Sequence, residues 1–201
     1  MGGEHYFSSR PAGSGDRRLV EVDLAGRRIS VATAGGVFSP DHIDTGTQVL
    51  LREAPEPPRQ GTFLDLGCGW GPLALALALQ APVATVYAVD VNERALSLTR
   101  DNAAALGLPN IVACQPEEVP ESTHFELIWS NPPIRVGKPV LHEMLEHWLP
   151  RLTPDGQAYL VVQKNLGADS LHRWIETTLG LPCERYAVSK GFRVLRISRA
   201  A

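Results

Sequence analysis

Lysine is scarce in this chain: of 19 cationic residues only Lys138, Lys164 and Lys190 are lysines, and the formal net charge is −3. With that balance there is no global basic field, so indiscriminate nucleic-acid binding is excluded and any such contact must come from a local patch. Cysteine is equally rare. Cys68, Cys114 and Cys183 are odd in number and widely spaced, which excludes a disulfide framework or a zinc cluster and reads as reduced thiols in a cytoplasmic protein. No apolar run approaches the ~20 residues that a membrane span requires. The opening Met-Gly-Gly-Glu-His-Tyr-Phe lacks the basic start and apolar core of a secretory signal. What is present is ordinary for one globular domain: 201 residues, 44% hydrophobic and 20% charged.

Residues 1–17 are rich in Gly, Ser, Pro and charge and read as a mobile leader. Residues 18–201 read as a single domain, with an extension over 18–59 and a core over 60–201. In the extension, Leu19 to Leu24 and Arg28 to Thr33 alternate apolar with polar around Ala25-Gly26, a hairpin pattern. Asp44 to Glu53 reads as a short helix, and Pro55 to Arg59 as a linker.

From Gly61 strands and helices alternate, which predicts an α/β architecture with a mostly parallel sheet. Strands are expected at Thr62–Leu66, Ala84–Val89, Ile111–Cys114, Phe125–Ser130 and Gln157–Gln163, closing with Arg185–Val188 and Arg193–Ile197. Helices are expected at Pro72–Ala81, Glu93–Leu106, Lys138–Leu152 and Ser170–Leu179. The run Leu-Ala-Leu-Ala-Leu-Ala-Leu also alternates, as strands do. Its residues are strong helix formers and Pro72 suits a first helical turn, so it reads as a buried helix.

The first strand of the core ends in Asp65-Leu66-Gly67-Cys68-Gly69-Trp70-Gly71. Ligands of open parallel sheets bind beyond the carboxyl ends of the strands, so this loop is well placed for a cofactor. A dinucleotide site would use Gly-x-Gly-x-x-Gly and face a pyrophosphate. Here the spacing is Gly-x-Gly-x-Gly, and Asp65 at the entrance would repel a phosphate and attract an ammonium. S-adenosylmethionine carries an ammonium and a sulfonium and no phosphate. Asp90, closing the second strand 19 residues after Gly71, is placed to accept hydrogen bonds from ribose hydroxyls, with Val91 beside it.

Ile128-Trp129-Ser130-Asn131-Pro132-Pro133-Ile134 is the second constellation. Two prolines cannot continue a sheet, and each restricts the residue before it, so the segment is stiff. An exocyclic amine conjugated to a ring is a poor nucleophile. The Asn131 side-chain oxygen and the Pro132 carbonyl could accept both of its N–H bonds and aim its lone pair, catalysis by positioning and electrostatics. Pro133 would hold these acceptors rigid. The bland alternatives are a glycine turn with two strand-end acids and a plain strand terminator.

These motifs resemble class I S-adenosylmethionine-dependent methyltransferases, in particular small single-domain relatives of the RsmC-type ribosomal RNA guanine-N2 methyltransferases. Val89-Asp90-Val91-Asn92, Ser130 to Lys138, Gly36 to Pro40 with Asp44 to Thr47, Val162-Gln163-Lys164 and Lys190 to Arg193 carry the likeness. The resemblance implies a Rossmann-like seven-stranded fold whose last strand is antiparallel, here with an N-terminal β-hairpin. It implies that Asp65, Gly67, Cys68, Gly69 and Gly71 hold the methionine end, that Asp90 and Val91 meet the ribose end, and that Thr45 and Gly46 fold over the cofactor near Asn131. Phe38, Ile134, Arg135, Lys138, Lys164 and Phe192 are the expected substrate contacts. Many Asn-Pro-Pro enzymes place a stacking aromatic next, where this chain has Ile134; Phe38, Phe192 or Phe7 is the expected substitute.

Arg135, Lys138, Lys164, Arg193 and Arg196 could form a basic rim for RNA phosphates. His142 and His147, five apart on one helix, read as surface or packing residues, and no metal site is expected. Trp148 and Trp174 read as core. The expected reaction is methylation of guanine N2 in ribosomal RNA or a ribosomal subunit, by a monomer or homodimer. A protein glutamine amide or an adenine amino group is the enzymatic alternative. A non-catalytic cofactor-binding assembly module is the alternative of another class.

Overall fold

The computed structural model describes residues 17–199; the expected leader and Phe7 therefore lie outside the described residues, apart from Arg17. Two strands, β1 (Arg18–Leu24) and β2 (Arg27–Thr33), form an antiparallel hairpin. Ala25 and Gly26 both take positive φ, 49° and 72°, the tight two-residue turn whose twist matches its strands.

The main sheet has seven strands: β3 (Thr62–Leu66), β4 (Thr85–Val89), β5 (Ile111–Cys114), β6 (Phe125–Ser130), β7 (Leu152–Gln163), β8 (Cys183–Ser189) and β9 (Phe192–Ser198). Their order is β5-β4-β3-β6-β7-β9-β8, parallel from β5 to β7. The last strand in the chain, β9, inserts antiparallel between β7 and β8. Both the seven strands and the reversed last strand agree with the expectation.

The helices are α1 (Thr45–Glu53), α2 (Pro72–Gln80), α3 (Glu93–Ala105), α4 (Lys138–Trp148) and α5 (Ala168–Trp174). On one face α1 and α2 pack with α3's Leu96 on Phe63, Val86, Leu127 and Trp129. On the other, α4 and α5 cover Leu64, Ile128, Leu160 and Leu195. The hairpin adds an outer layer, setting Val22, Leu24 and Val31 against α2 and α3. Helix α2 is apolar all round because it is enclosed by sheet, helices and hairpin; Leu73 through Ala78 are buried. This is the helix that the period-two run encodes.

Most ends shift by a residue or two, as where β8 spans Cys183–Ser189 and not Arg185–Val188, and three departures have a structural cause or change an element's type. Helix α4 stops at Trp148 and continues as a single 3₁₀ turn, since Pro150 cannot donate to the α-helical ladder. Helix α5 begins at Ala168, and Ile175–Leu179 widens into a π turn. Strand β7 begins at Leu152, ahead of a bulge: Phe125 pairs with Leu152 but Leu127 pairs with Gln157.

Candidate functional site

Strand order reverses between β4 and β6 around β3, which opens a crevice beyond their carboxyl ends. The glycine loop lies there. Gly67 and Cys68 donate their amides to the Val89 carbonyl at 2.8 and 3.0 Å, tying the loop to the end of β4. Gly67 and Gly69 take positive φ, 77° and 58°, and a Cβ on Gly69 would meet nothing within 4 Å. The loop is thus a cradle open on one side. Thr99 of α3 secures it from behind by donating to the Gly69 carbonyl at 3.0 Å.

Asp65 is fully buried at the base of the cradle. Its Oδ2 accepts the Ala74 amide at 2.8 Å, bracing the first turn of α2, while Oδ1 is buried with no partner. Burial chiefly, with Asp90's charge adding, pushes its carboxyl from 3.8 up to about 8 against the opposing Ala74 hydrogen bond. Asp90 accepts the Gly69 amide on Oδ2 and the Asn92 amide on Oδ1, both at 2.9 Å. Burial raises its carboxyl too, opposed by these backbone hydrogen bonds. With the Val91 amide also contributing, the carboxylate still has acceptor capacity to spare. Val91 beside it is 47% exposed. An orphaned carboxylate oxygen and an acceptor-rich wall suit a ligand bearing an ammonium and hydroxyls, and disfavour a pyrophosphate.

Strand β6 delivers Asn131 to the same crevice. Phe63, Leu64 and Asp65 of β3 pair with Leu127, Ile128 and Trp129, and the Ser130 hydroxyl donates to the Leu66 carbonyl at 2.7 Å. The ends of β3 and β6 therefore lie side by side. Asn131 Nδ2 donates to Asp44 Oδ2 at 2.9 Å and to Thr47 Oγ1 at 3.1 Å. The Pro132 carbonyl accepts the Ile134 amide at 2.8 Å, and Pro133 at φ −74°, ψ 75° makes this an inverse γ-turn. One lone pair of Pro132 is thus already engaged within the loop. Pro133 Cδ lies 4.0 Å from where a Gly67 Cβ would stand, so the two motifs meet.

The segment before α1 crosses this crevice. Asn92 Nδ2 donates to the Gly36 carbonyl at 3.1 Å, and Trp70 Nε1 to the Ser39 carbonyl at 3.2 Å. Phe38 between them is 53% exposed. At the segment's end Thr45 and Gly46 open α1. A Cβ on Gly46 would fall 3.0 Å from Phe192 Cε1 and 3.2 Å from Asn131 Nδ2, so Gly46, Phe192 and Asn131 converge.

Ile134 and Lys138 line a cleft of ≈ 240 Å³ with Leu141, His142, Leu166 and Ser170. Arg135 lies in the short turn Ile134–Val136, and Lys164 is exposed just after β7. The expected basic rim needs correction. Arg193 is 9% exposed and paired with Asp169, and Arg196 pairs with Glu184 at 2.8 Å. Arg193 shares that carboxylate with Arg185, and Arg196 is paired one to one, so neither guanidinium is a free cation of the rim. His142 stacks on Trp174, ring centroids 3.8 Å apart. Among the described residues no group of three or more His, Cys, Asp or Glu could hold a metal, and no helix is long and apolar enough to cross a membrane.

The contacts of Asn131 with Asp44 and Thr47 and of Asn92 with Gly36, and the roles of Thr99 and Trp70, escaped sequence reasoning. Asp44 carried a helix-start signal, but nothing local indicates a partner 87 residues away.

Comparison with known proteins places this geometry among relatives. The family model described as methyltransferase small domain matches residues 28–196. The Bacillus subtilis strain 168 protein YbxB is 35% identical over 170 residues, covering 83% of this chain and 85% of that protein. Ribosomal RNA small subunit methyltransferase C of Pseudomonas entomophila strain L48 is 32% identical over 200 residues, 98% of this chain and 58% of the relative. Among solved structures, the T. thermophilus 16S rRNA N2 methyltransferase RsmC, in complex with AdoMet and guanosine, superposes with a TM-score of 0.79. It is 25% identical over 94% of this chain and 52% of that one. The chain spans just over half the length of these two RsmC proteins.

Proposed function

The chain belongs to the methyltransferase small domain family, and from that premise we propose that it methylates an exocyclic amino group, guanine N2 of ribosomal RNA, with S-adenosylmethionine as donor. One observation carries the reading: the Asn131 amide spends its nitrogen on Asp44 and Thr47, leaving Oδ1 as an acceptor. The RsmC relatives support the choice of guanine N2, since one of them was solved with AdoMet and guanosine.

When bound, S-adenosylmethionine supplies an electrophilic methyl group on a sulfonium. Asp65, with the backbone of Gly67 and Gly69, would hold its methionine end, and Asp90 and Val91 its ribose end. Asn131 Oδ1 accepts one N–H of the substrate amine, and the free lone pair of the Pro132 carbonyl accepts the other. This draws the nitrogen out of conjugation and turns its lone pair away from the ring. The inverse γ-turn and Ser130's hold on β3 keep both acceptors in place before substrate arrives, so no reorganisation is needed. Phe192 beside Gly46, or exposed Phe38, supplies an aromatic face to the base, an interaction worth ~1–3 kcal/mol.

The test offers tritium-methyl S-adenosylmethionine with total RNA, ribosomal subunits, DNA and soluble protein in parallel, then identifies the modified unit. Label in N2-methylguanine is expected, and Asn131→Ala should slow its appearance by roughly a hundredfold or more while cofactor affinity holds. Label in a glutamine amide or an adenine would overturn the substrate assignment.

A further inference from the structure

The side-chain amide of Asn131 could sit in two orientations related by a flip, and only one presents its oxygen to a substrate amine. We propose that Asp44, assisted by Thr47, is the positioning residue that selects this orientation and so makes the site accept a donor and refuse an acceptor. This rests on the reading that Asn131 Oδ1 meets the substrate amine.

Both hydrogens of Asn131 Nδ2 have acceptors, Asp44 Oδ2 at 2.9 Å and Thr47 Oγ1 at 3.1 Å. A carboxylate offers acceptors alone. Flipping the amide would bring Oδ1 to where Nδ2 stands, setting two oxygens against each other about 3 Å apart with no proton between them. The flipped state is therefore disfavoured by the chain itself, before any ligand binds.

Asp44 is in turn fixed. It is the N-cap of α1, and the same Oδ2 accepts the Gly46 amide at 2.7 Å and the Thr47 amide at 3.4 Å. Thr47 is buried, at 4% exposure. Gly46 lacks the Cβ that would press on Asp44 Oδ2, Phe192 and Asn131 Nδ2, at 3.0, 3.0 and 3.2 Å. One oxygen thus caps a helix and orients an amide. The device sits in the segment before the glycine loop, which is pinned to the cofactor wall through Asn92–Gly36 and Trp70–Ser39. A substrate carbonyl in the amine's place would face Oδ1, acceptor against acceptor, and be rejected.

The capping and orienting roles separate in Asp44→Ser. Serine caps helices about as well as aspartate, but its shorter side chain cannot reach Asn131. In ¹⁵N-labelled protein, the Asn131 side-chain amide is assigned by its loss in Asn131→Ala. Asp44→Ser should shift that resonance by more than its linewidth, while the melting temperature stays within a few degrees. With ribosomal RNA as substrate, kcat should fall roughly a hundredfold, the scale of losing one preorganised hydrogen bond, with the KM for cofactor unchanged. In the Asn131→Ala background Asp44→Ser should add nothing, because residues acting through one another are not additive. An unmoved amide resonance, or losses that multiply in the double variant, would overturn the proposal. If the wild type labels no RNA, the function reading fails, and the resonance alone decides for or against the positioning role.

Discussion

Asp65 has no contact with water, and of its two oxygens only Oδ2 has a protein partner, the Ala74 amide. Desolvation dominates and lifts its carboxyl to about 8. The sign follows from which form the fold favours. The native state holds the proton more tightly than the unfolded chain, so the stability this group contributes is complete below 3.8 and is lost as pH rises through about 8. A cation in the glycine cradle reverses the preference, because an opposite charge favours the ionised form. Binding of S-adenosylhomocysteine at pH 7 should therefore release roughly one proton. Calorimetry in buffers of different ionisation enthalpy reads this directly. Asp65→Asn should abolish the release, and a wild-type heat independent of buffer would remove Asp65 from the cofactor site.

At the next scale, the start of α2 combines two demands on one residue. Gly71 is its N-cap at φ 96°, and a Cβ there would stand 3.0 Å from both Thr99 Cγ2 and Thr99 Oγ1. Gly107 after α3 also has positive φ, 65°, but an added Cβ meets nothing within 4 Å. Urea denaturation should therefore show Gly107→Ala losing about 1 kcal/mol from backbone strain alone, and Gly71→Ala about 2–3 kcal/mol. Equal losses would mean that Thr99 yields freely and that the close approach of α3 to the loop is incidental.

Elements with a local cause were legible in the sequence. Strands β3, β5 and β6 match the expected residues, and Asn92 caps α3 with its side chain on the Arg94 amide. The alternation in α2 misled nothing because Leu and Ala prefer helix. By contrast the expected strand starts only at Gln157, which leaves Thr153 to Gly156 outside any element. The segment is instead a bulge within β7, held where a Gly156 Cβ would lie 2.6 Å from the Phe125 carbonyl. Only the partner strand decides that. The site divides the same way: its glycine loop, acids and Asn-Pro-Pro are contiguous motifs, whereas the Asp44–Asn131 bond exists only once the sheet has brought distant segments together.

For the molecule as a whole, the arrangement of charge sets how it can meet a polyanion. Arg185 and Arg193 share Asp169, Arg196 pairs with Glu184, Arg100 with Glu93 and Arg52 with Glu53. Opening these pairs for phosphates would exchange one ion pair for another with little gain. Among the described residues, exposed cations outside these pairs include Lys138, Lys164 and Lys190 as well as Arg27, Arg59 and Arg173, on a chain of net charge −3; Lys138 and Lys164 are the ones expected to meet substrate. Each phosphate neutralised on single-stranded nucleic acid contributes a slope of about −0.7 to log K against log salt, so the three lysines give about −2. Titrating a fluorescent ribosomal RNA fragment across salt concentrations should return that shallow dependence, and Lys138→Gln should flatten it by about 0.7. A slope steeper than about −4 would require more cations than these three lysines supply. Exposed arginines such as Arg27, Arg59 and Arg173 would then have to take part, and only if their substitution by glutamine left the slope steep would the pairs at Asp169 and Glu184 have to open and return Arg193 and Arg196 as a substrate surface. A shallow slope would leave recognition to the crevice itself, where on the proposed reading the amide of Asn131 selects an amine and no long basic track is needed.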